Sequence, residues 1–259
     1  MKIVVCVKHV PDAAGERTFE ADSTTDRTNV DGLLSELDEY AVEEALKIVD
    51  AGEGEVVALT MGPAQASDAV RKALQMGVGS GVHVIDDAIA GSDAPATSLV
   101  LAKAIEKIGG VDLVLTGMAS TDGSMSVVPA MVAERLGLPQ VTFASELTVD
   151  GLRVTIRRDG DASTEVVTAA LPALVSVTDQ INEPRYPSFK GIMAAKKKPL
   201  ETWGLADIGV EAGEVGQAAA WTEVQSFAAR PPREAGQVVT DEGDGGSRLA
   251  EFLVARKFV

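Results

Sequence analysis

The chain has 259 residues, of which 46% are hydrophobic, and a formal net charge of -16. This size suits one large or two modest domains, and the acidity argues against general nucleic-acid binding, which needs a basic face. The single cysteine, Cys6, excludes an internal disulfide framework and suits a reducing compartment. Because no apolar stretch reaches membrane-spanning length and no signal pattern opens the sequence, we expect a cytoplasmic protein without membrane insertion.

Short apolar runs alternate with helical patterns through the first 140 residues. Continuous runs of this kind are typical of parallel strands that are covered on both faces; they are Ile3–Val7, Val56–Thr60, Val82–Ile85 and Leu113–Thr116. Apolar residues at helical spacing predict helices between them and one after the last. Gly77 is expected to end the second helix as an αL cap, Asp93 to cap the third, and the fourth to begin near Ser124. The alternation predicts an α/β fold with a doubly wound, mostly parallel sheet.

The pattern changes after residue 140. Two alternating segments flank Asp150-Gly151, which predicts a hairpin, and two more strands follow before residue 178. Residues 200–246 are rich in Ala, Gly, Glu and Pro and are expected to add little to a core. The sequence therefore predicts an α/β domain over 1–199 and an extended C-terminal arm over 200–259, either disordered or laid on a partner.

A basic segment, Asn182–Lys198, stands out in this acidic chain because it holds five of the 23 basic residues. Pro184 and Pro187 favour an extended backbone and disfavour a regular helix. Its aromatic and aliphatic side chains, mixed with lysines, fit an exposed contact loop. They equally fit a long loop whose apolar residues fold back onto the body, and composition alone leaves both possibilities open.

The carboxyl ends of parallel strands are the usual ligand sites in such sheets. Gly117–Ser124 follows a predicted strand and leads into a helix, so its glycines, hydroxyls and free N–H groups suit a phosphate. An ordinary βα turn capped by Asp122 or Ser124 explains the same residues. Neither a Walker A loop nor a Gly-x-Gly-x-x-Gly fingerprint is present.

Catalytic and metal-binding patterns are missing from the sequence. His9 and His83 are the only histidines, and no His/Cys/Asp cluster has metal-ligand spacing. No nucleophile–base pair or Gly-x-Ser-x-Gly elbow appears. We therefore expect no metal and no catalytic residues, with His83 structural and His9 a capping or packing residue.

The basic segment also carries a family resemblance. Asn182-Glu-Pro-Arg-Tyr-Pro187 and Ile192-Met-Ala-Ala-Lys-Lys-Lys198, preceded by Leu171-Pro-Ala173, resemble the signature of the electron-transfer flavoprotein beta subunit. Further segments occur in family order: Val5–Lys8, Tyr40–Ala45, Gly62–Ala64, Ala73–Gly77, Asp112–Gly117 and Thr142–Ser145. The resemblance covers residues 1–205 and is weak over the last fifty.

This resemblance implies a Rossmann-like nucleotide-binding fold and an electron-carrier subunit rather than an enzyme. The subunit would pair with an alpha subunit that holds most of an FAD. The heterodimer would take electrons from acyl-CoA and related dehydrogenases and pass them to a membrane quinone oxidoreductase. The beta subunit would bind a structural AMP.

The resemblance also assigns residues to the AMP site. Backbone N–H groups from Asp122 to Ser126 would face the phosphate, and Leu37 would also lie near the isoalloxazine edge of the FAD. The complete expected set is Cys6, Ser35, Leu37, Asp38, Met61, Gly117, Ser120, Thr121, Asp122, Gly123, Ser124, Met125, Ser126, Val127 and Val128.

Partner docking is assigned to the segment 182–198, as a mobile recognition loop with Lys196–Lys198 as a solvated, charge-steering flank. The expected contact residues are Tyr186, Ser188, Phe189, Ile192 and Met193. Phe189 stands where the family usually has leucine. Arg158 stands where many relatives have an acid, so a salt bridge from that position to the alpha subunit is not expected to carry over.

Two alternatives compete with this interpretation. A bifurcating flavoprotein would hold a second FAD in the AMP pocket, and counting flavins per heterodimer separates the two. A stress-protein-like ATP binder would hold a triphosphate at Gly117–Ser124 and would have no need of the Asn182–Lys198 signature.

Overall fold

The computed structural model describes residues 1–15, 17–233, 236 and 238–259. They form two compact units, Met1–Gln225 and Ser226–Val259. The first unit thus extends past the boundary expected at residue 199.

The strands are β1 Lys2–Cys6, β2 His9–Pro11, β3 Gly32–Leu34, β4 Glu55–Met61, β5 Ser80–Val84, β6 Leu113–Gly117, β7 Gln140–Ala144, β8 Glu146–Asp150, β9 Arg153–Asp159, β10 Thr164–Ala170, β11 Ala173–Val177 and β12 Leu200–Trp203. The helices are α1 Glu36–Asp50, α2 Ser67–Met76, α3 Ala94–Ile108, α4 Val128–Leu136, α5 Phe189–Ala195 and α6 Gly245–Ala255.

A seven-stranded sheet forms the centre of the first unit, in the order β12-β5-β4-β1-β6-β11-β7. Every pairing in it is parallel. Alternate residues of β1 point to opposite faces: Ile3 and Val5 join a core with α1 and α2, and Val4 joins a core with α3 and α4. Helices therefore cover both faces, which confirms the predicted α/β class.

An antiparallel sheet of β8, β9 and β10 packs against the α1 and α2 side through Val154 and Ile156. The predicted hairpin is present, but its turn is one residue later. Asp150 pairs with Arg153, so the two loop residues are Gly151 and Leu152, with Gly151 at a φ of 55°. Only glycine adopts this backbone conformation at little cost.

The predicted helix ends are partly confirmed. The Asp93 carboxylate accepts a hydrogen bond from the Ala96 N–H at 3.1 Å and caps α3 as expected. Gly77 ends α2, but its φ of 143° lies outside the αL region. Helix α4 begins at Val128 and not near Ser124, because Ser124 and Ser126 have positive φ values of 52° and 58° that interrupt a right-handed helix.

The segment 182–198 is not a loop throughout. It is extended through both prolines, and the Ser188 side chain then accepts from the Gly191 N–H at 3.0 Å and caps α5. The expectation of an irregular loop is therefore wrong for its second half. The prolines do act as predicted, since the helix begins only after Pro187.

The start of the expected arm belongs to the core. Strand β12 pairs with β5 at the edge of the central sheet, with Leu200 opposite Gly81. The side chains that follow are buried between this edge and α3, namely Leu205, Ile208, Val210 and Val215. The prediction of little core is wrong over 200–215 because these apolar residues cover a sheet edge. In the second unit, α6 contains no buried residue.

Candidate functional site

The expected site residues are found at the carboxyl edge of the central sheet and on the loops that leave it. Cys6, Met61 and Gly117 end β1, β4 and β6, and Ser35 precedes α1, which carries Leu37 and Asp38 in its first turn. Residues Ser120 to Val127 form the loop between β6 and α4, and Val128 is the first residue of α4. Strands β4, β1 and β6 are neighbours, so most of the expected set surrounds three adjacent strand ends.

Asp38 joins the start of α1 to the ends of β1 and β6. Its carboxylate accepts from the Lys8 N–H at 2.8 Å and from the backbone N–H of Gly117. A Cβ on Gly117 would lie 2.6 Å from the Asp38 carboxylate and 2.7 Å from the Leu37 carbonyl oxygen. Only glycine therefore allows the helix to approach this strand so closely.

Asp122 is the electrostatic centre of the following loop. Its side chain is only 3% exposed and forms ion pairs with Lys8, at 2.9 Å, and with Arg27. Lys8 Nζ also donates to the Ser120 hydroxyl at 3.4 Å. Sequence reasoning did not assign Lys8 or Arg27 to the site. Lys8 belongs to the family-like segment Val5–Lys8, to which no site role was assigned, and Arg27 lies in a polar segment with no pattern that points to a site.

The pKa values of the two carboxylates are shifted in opposite directions. Burial raises the pKa of Asp38 to about 7, because it outweighs the backbone hydrogen bonds and the charge of Lys8. Burial acts the same way on Asp122, but Lys8 and Arg27 more than compensate and hold the pKa of that carboxyl well below its usual range. Asp122 is therefore the permanent anion of the site at neutral pH, and Asp38 is the group that titrates.

The loop before α4 presents a row of N–H groups. The Gly123 and Ser124 N–H groups donate within the loop, to Asp122 and Ser120. Within the part of the chain that the structure describes, no hydrogen bond engages the N–H groups of Met125, Ser126 and Val127. Ser124 and Ser126 have left-handed φ values, and the loop ends at the N-terminus of α4, where unpaired N–H groups and the helix dipole favour an anion. This arrangement suits a phosphate.

Three buried hydroxyls at the same edge of the sheet have no hydrogen-bond partner among the described residues: Ser35 Oγ, Thr60 Oγ1 and Thr116 Oγ1. Ser35 and Thr60 are completely buried, and Thr116 nearly so. Buried polar atoms are normally paired, and an orphaned one points to a ligand or a water. Together with the free N–H groups, these hydroxyls fit a bound polar molecule such as a nucleotide.

Cys6 does not act as a nucleophile in this setting. Burial, with a smaller contribution from the Asp38 charge, raises the pKa of the thiol to about 12. A thiol is nucleophilic as the thiolate, so Cys6 stays unreactive at neutral pH.

The histidines have structural surroundings. The His83 ring is buried and its Nε2 lies 3.0 Å from the Gly62 carbonyl oxygen. His9 lies on β2 against Gly32, where a Cβ would come within 2.1 Å of the ring. Within residues 1–15, 17–233, 236 and 238–259, no group of His, Cys, Asp and Glu side chains could hold a metal ion. Nor is any helix of those ranges long and apolar enough to cross a membrane.

The expected docking residues form an exposed apolar surface around α5. Tyr186 and Phe189 are 89% and 80% exposed, Met193 is 47% exposed and Ile192 is partly exposed. Phe189 and Met193 are one helical turn apart, so they share a face. Ser188 caps the helix and does not belong to this surface by its side-chain contacts.

The basic end of the segment differs from expectation at one position. Lys198 is not part of a solvated flank, because its Nζ donates to the Leu74 carbonyl oxygen at 2.8 Å at the end of α2. Burial lowers the pKa of this ammonium group. At the other end, the Lys72 ammonium lies 5.3 Å from the centre of the Tyr186 ring.

Arg158 is paired within the chain. It donates to the Thr142 carbonyl oxygen at 2.7 Å and forms an ion pair with Glu165 at 3.2 Å. Its neighbour Arg157 pairs with Glu146 and Asp159 on the exposed side of the antiparallel sheet.

Known proteins resemble this chain over nearly its full length. A family model described as "Electron transfer flavoprotein domain" matches residues 23–208. The "Electron transfer flavoprotein subunit beta" of Mycobacterium leprae is 48% identical over 263 residues, covering 99% of each chain. The protein of the same name from Mycobacterium tuberculosis (strain ATCC 25618 / H37Rv) is 47% identical with the same coverage. The "Caffeyl-CoA reductase-Etf complex subunit CarD" of Acetobacterium woodii is 36% identical over 257 residues, 99% of this chain and 97% of the relative.

Identity at this level over the whole length, together with the domain match, confirms the resemblance found in the signature segment. The chain belongs to the electron transfer flavoprotein beta-subunit family.

Proposed function

We propose that this chain is the beta subunit of a heterodimeric electron transfer flavoprotein and that it holds one AMP at the carboxyl edge of its parallel sheet. The observation that carries the AMP assignment is the row of free N–H groups at Met125, Ser126 and Val127, at the N-terminus of α4. The orphaned hydroxyls of Ser35, Thr60 and Thr116 support a buried polar ligand beside it.

The partner alpha subunit holds most of the FAD, which supplies the redox chemistry when bound. This chain contributes binding and shape, as an electron-carrier subunit rather than an enzyme. Leu37, at the start of α1, lies near the isoalloxazine edge. Residues 226–259 lie on the alpha subunit; the apolar side chains that α6 leaves exposed, such as Leu249 and Val254, support this role.

Acyl-CoA and related dehydrogenases deliver electrons to the heterodimer, and a membrane quinone oxidoreductase receives them. The exposed Phe189 and Met193 face of α5 is the docking surface for the dehydrogenase, since a protruding aromatic residue can fill a partner pocket. The subunit works in the cytoplasm, which its free thiol at Cys6 supports.

Cofactor analysis of the freshly purified heterodimer tests the nucleotide assignment. We expect a flavin absorbance band from the heterodimer, none from the beta chain alone, and one FAD and one AMP released on denaturation. Release of no nucleotide besides one FAD would sink the AMP site. Two FAD per heterodimer would instead favour the alternative of a bifurcating flavoprotein that holds a second FAD in the AMP pocket. ATP turnover by the isolated chain would favour the ATP-binder alternative.

Phe189→Ala tests the docking surface. We expect slower electron delivery from an acyl-CoA dehydrogenase, with the flavin spectrum and the heterodimer unchanged. Unchanged transfer kinetics would show that Phe189 has no role in docking.

A further inference from the structure

The signature residues that precede the docking surface are bound to helix α1. The Arg185 guanidinium donates to both carboxylate oxygens of Glu43, from Nε at 2.7 Å and from Nη2 at 3.1 Å. The backbone N–H of Arg185 donates to the same carboxylate at 3.0 Å. Three hydrogen bonds to one carboxylate fix both the side chain and the backbone at this position.

Because the Glu43 carboxylate is buried, it depends on Arg185 for its charge partner. Glu43 is only 6% exposed, and a buried carboxylate that loses its partner is strongly unfavourable. Asn182 adds a second connection, because its Nδ2 donates to the Tyr40 carbonyl oxygen and to Glu44, each at 3.0 Å. The beginning of the segment is therefore held by side chains from one stretch of α1.

The far end of the segment is held by helix α2. A Cβ on Gly191 would lie 2.6 Å from the Gln75 carbonyl oxygen, so α5 is in close contact with the end of α2. Lys198 donates to the Leu74 carbonyl oxygen beyond it. With three residues between Arg185 and α5, the position of Phe189 follows from these two attachments.

We propose that Glu43 is a positioning residue for electron delivery: through Arg185 it fixes α5 so that the apolar face of Phe189 and Met193 is presented in one orientation. The inference rests on the proposed function, in which this face docks onto the dehydrogenase. The docking surface is then ordered before the partner arrives, in contrast to the mobile recognition loop that the resemblance implies. A surface that is already ordered has a lower entropic cost of docking.

Asp50 offers a matched control, because it also pairs with Arg185, from Nη2 at 3.0 Å. Its side chain is 61% exposed, whereas that of Glu43 is 8% exposed. Exposed ion pairs contribute little, so the same charge-removing substitution at the two positions separates a positioning effect from the mere loss of a charge near Arg185.

The experiment compares Glu43→Gln, Asp50→Asn and Phe189→Ala heterodimers as electron acceptors of an acyl-CoA dehydrogenase that reduces the wild type. For Glu43→Gln we expect the KM for the heterodimer to rise about tenfold, the order of effect of one lost hot-spot contact. The kcat at saturating heterodimer and the flavin spectrum stay unchanged. Asp50→Asn keeps a KM within about twofold of wild type. Amide hydrogen exchange within residues 189–195 becomes faster in Glu43→Gln only.

The outcomes separate the inference from the function on which it rests. If Phe189→Ala raises KM and Glu43→Gln lowers only the melting temperature, the docking surface stands and the positioning role of Glu43 is overturned. If Phe189→Ala leaves KM unchanged, the docking function itself fails and the inference fails with it. Should Glu43→Gln not assemble, Arg185→Lys, which keeps the charge but cannot form the paired hydrogen bonds, is measured in its place. An unchanged KM for that variant overturns the inference.

Discussion

Three charged residues, Asp122, Lys8 and Arg27, are paired with one another at the proposed nucleotide site. The carboxylate of Asp122 is shared by two cations, Lys8 and Arg27, which come from different parts of the chain. A phosphate in the proposed site would meet the free N–H groups of Met125 to Val127 as well as these two cations. Because one carboxylate balances only one of the two cations, the group keeps a net positive charge, which would favour an anion.

Asp38 makes the stability of the chain depend on pH. Its pKa is about 7 in the folded chain, against about 3.9 for an unperturbed aspartate. Between these values the unfolded chain loses the proton and the folded chain keeps it, so this residue's contribution to stability falls as pH rises. The slope is roughly 1.4 kcal/mol per pH unit inside that window, and the full contribution is present only below about pH 4.

The variant Asp38→Asn tests this by removing the titrating group. We expect the free energy of unfolding to fall less steeply between pH 4.5 and 7 than in wild type, as measured by urea unfolding of the nucleotide-free chain. Glu36→Gln, an exposed acid in the first turn of the same helix, should follow the wild-type slope. Parallel curves for wild type and Asp38→Asn would contradict the assignment, whatever their absolute offset.

For single residues, the sequence predicts which positions belong to the candidate site better than it predicts which side chains pair with them. Strand ends, loop composition and the signature segment mark Gly117, Asp122 and Phe189 as expected site residues. The pairing of Asp122 with Arg27 joins positions 95 apart in the chain, and a contact of that kind leaves no periodic pattern. It follows from the folded topology and not from local sequence.

Among the elements, the loop between β6 and α4 stores backbone strain where a ligand is expected. Serine at positive φ costs roughly 1–2 kcal/mol, since its Cβ crowds the carbonyl oxygen. Ser124 and Ser126 both have this conformation. Strain of this kind is often kept at binding sites, and here it lies beside the N–H groups of Met125, Ser126 and Val127 that have no partner among the described residues.

Two substitutions at Ser126 separate strain from donor geometry. Ser126→Gly keeps the N–H group and tolerates positive φ, so we expect a melting temperature equal to or above wild type and full AMP content. Ser126→Pro removes the N–H group and cannot adopt φ near 58°, so we expect the heterodimer to lose most of its AMP. Nucleotide released on denaturation, measured by chromatography, decides the comparison. Full AMP content in Ser126→Pro would show that this loop does not hold the phosphate.

Helix α5 is an element that the sequence did not predict. It has only seven residues and contains Gly191, and both features argue against a helix by propensity. Packing against α2 stabilises the helix instead, because glycine at position 191 lets the two backbones approach each other. Tertiary contact of this kind cannot be read from local composition.

Gly191→Ala sets these two effects against each other. Helix propensity alone favours alanine by about 1 kcal/mol, but the new Cβ would lie 2.6 Å from the Gln75 carbonyl oxygen. We expect the steric effect to win, with a net loss of about 1–3 kcal/mol in unfolding free energy and slower electron delivery. Gly246→Ala in α6, where the Cβ meets nothing within 4 Å, should not destabilise the protein. A more stable Gly191→Ala variant would show that α5 can move away from α2.

For the whole molecule, the alternation of apolar runs and helical patterns was enough to predict the α/β class. Strands buried on both faces have few other arrangements available. The boundary at residue 199 could not be found in the same way. Residues 200–246 as a whole are rich in Ala, Gly, Glu and Pro, which is typical of a surface arm, but the apolar side chains among residues 200–215 pack at the β5 edge of the sheet.

Two truncations test where the folded unit ends. Removing residues after Gln225 takes away a separate compact unit whose helix has no buried residue. We expect the shortened chain to keep a cooperative unfolding transition near the wild-type temperature. Removing residues after Pro199 also deletes β12 and the buried Leu205, Ile208, Val210 and Val215. At about 1.5–3 kcal/mol for each buried aliphatic side chain, the loss is comparable with the 5–15 kcal/mol stability of a typical domain.

The chain that ends at Pro199 should therefore lack a cooperative transition by circular dichroism, while the chain that ends at Gln225 retains one. If the shorter chain unfolds cooperatively at the wild-type temperature, residues 200–215 are dispensable. If the longer chain fails to fold, the second unit supports the first through contacts that its exposed helix does not account for. With both results as expected, the affinity of the Gln225 chain for the alpha subunit, compared with that of the full chain, measures what residues 226–259 contribute to assembly, because the folding of the first unit is unchanged.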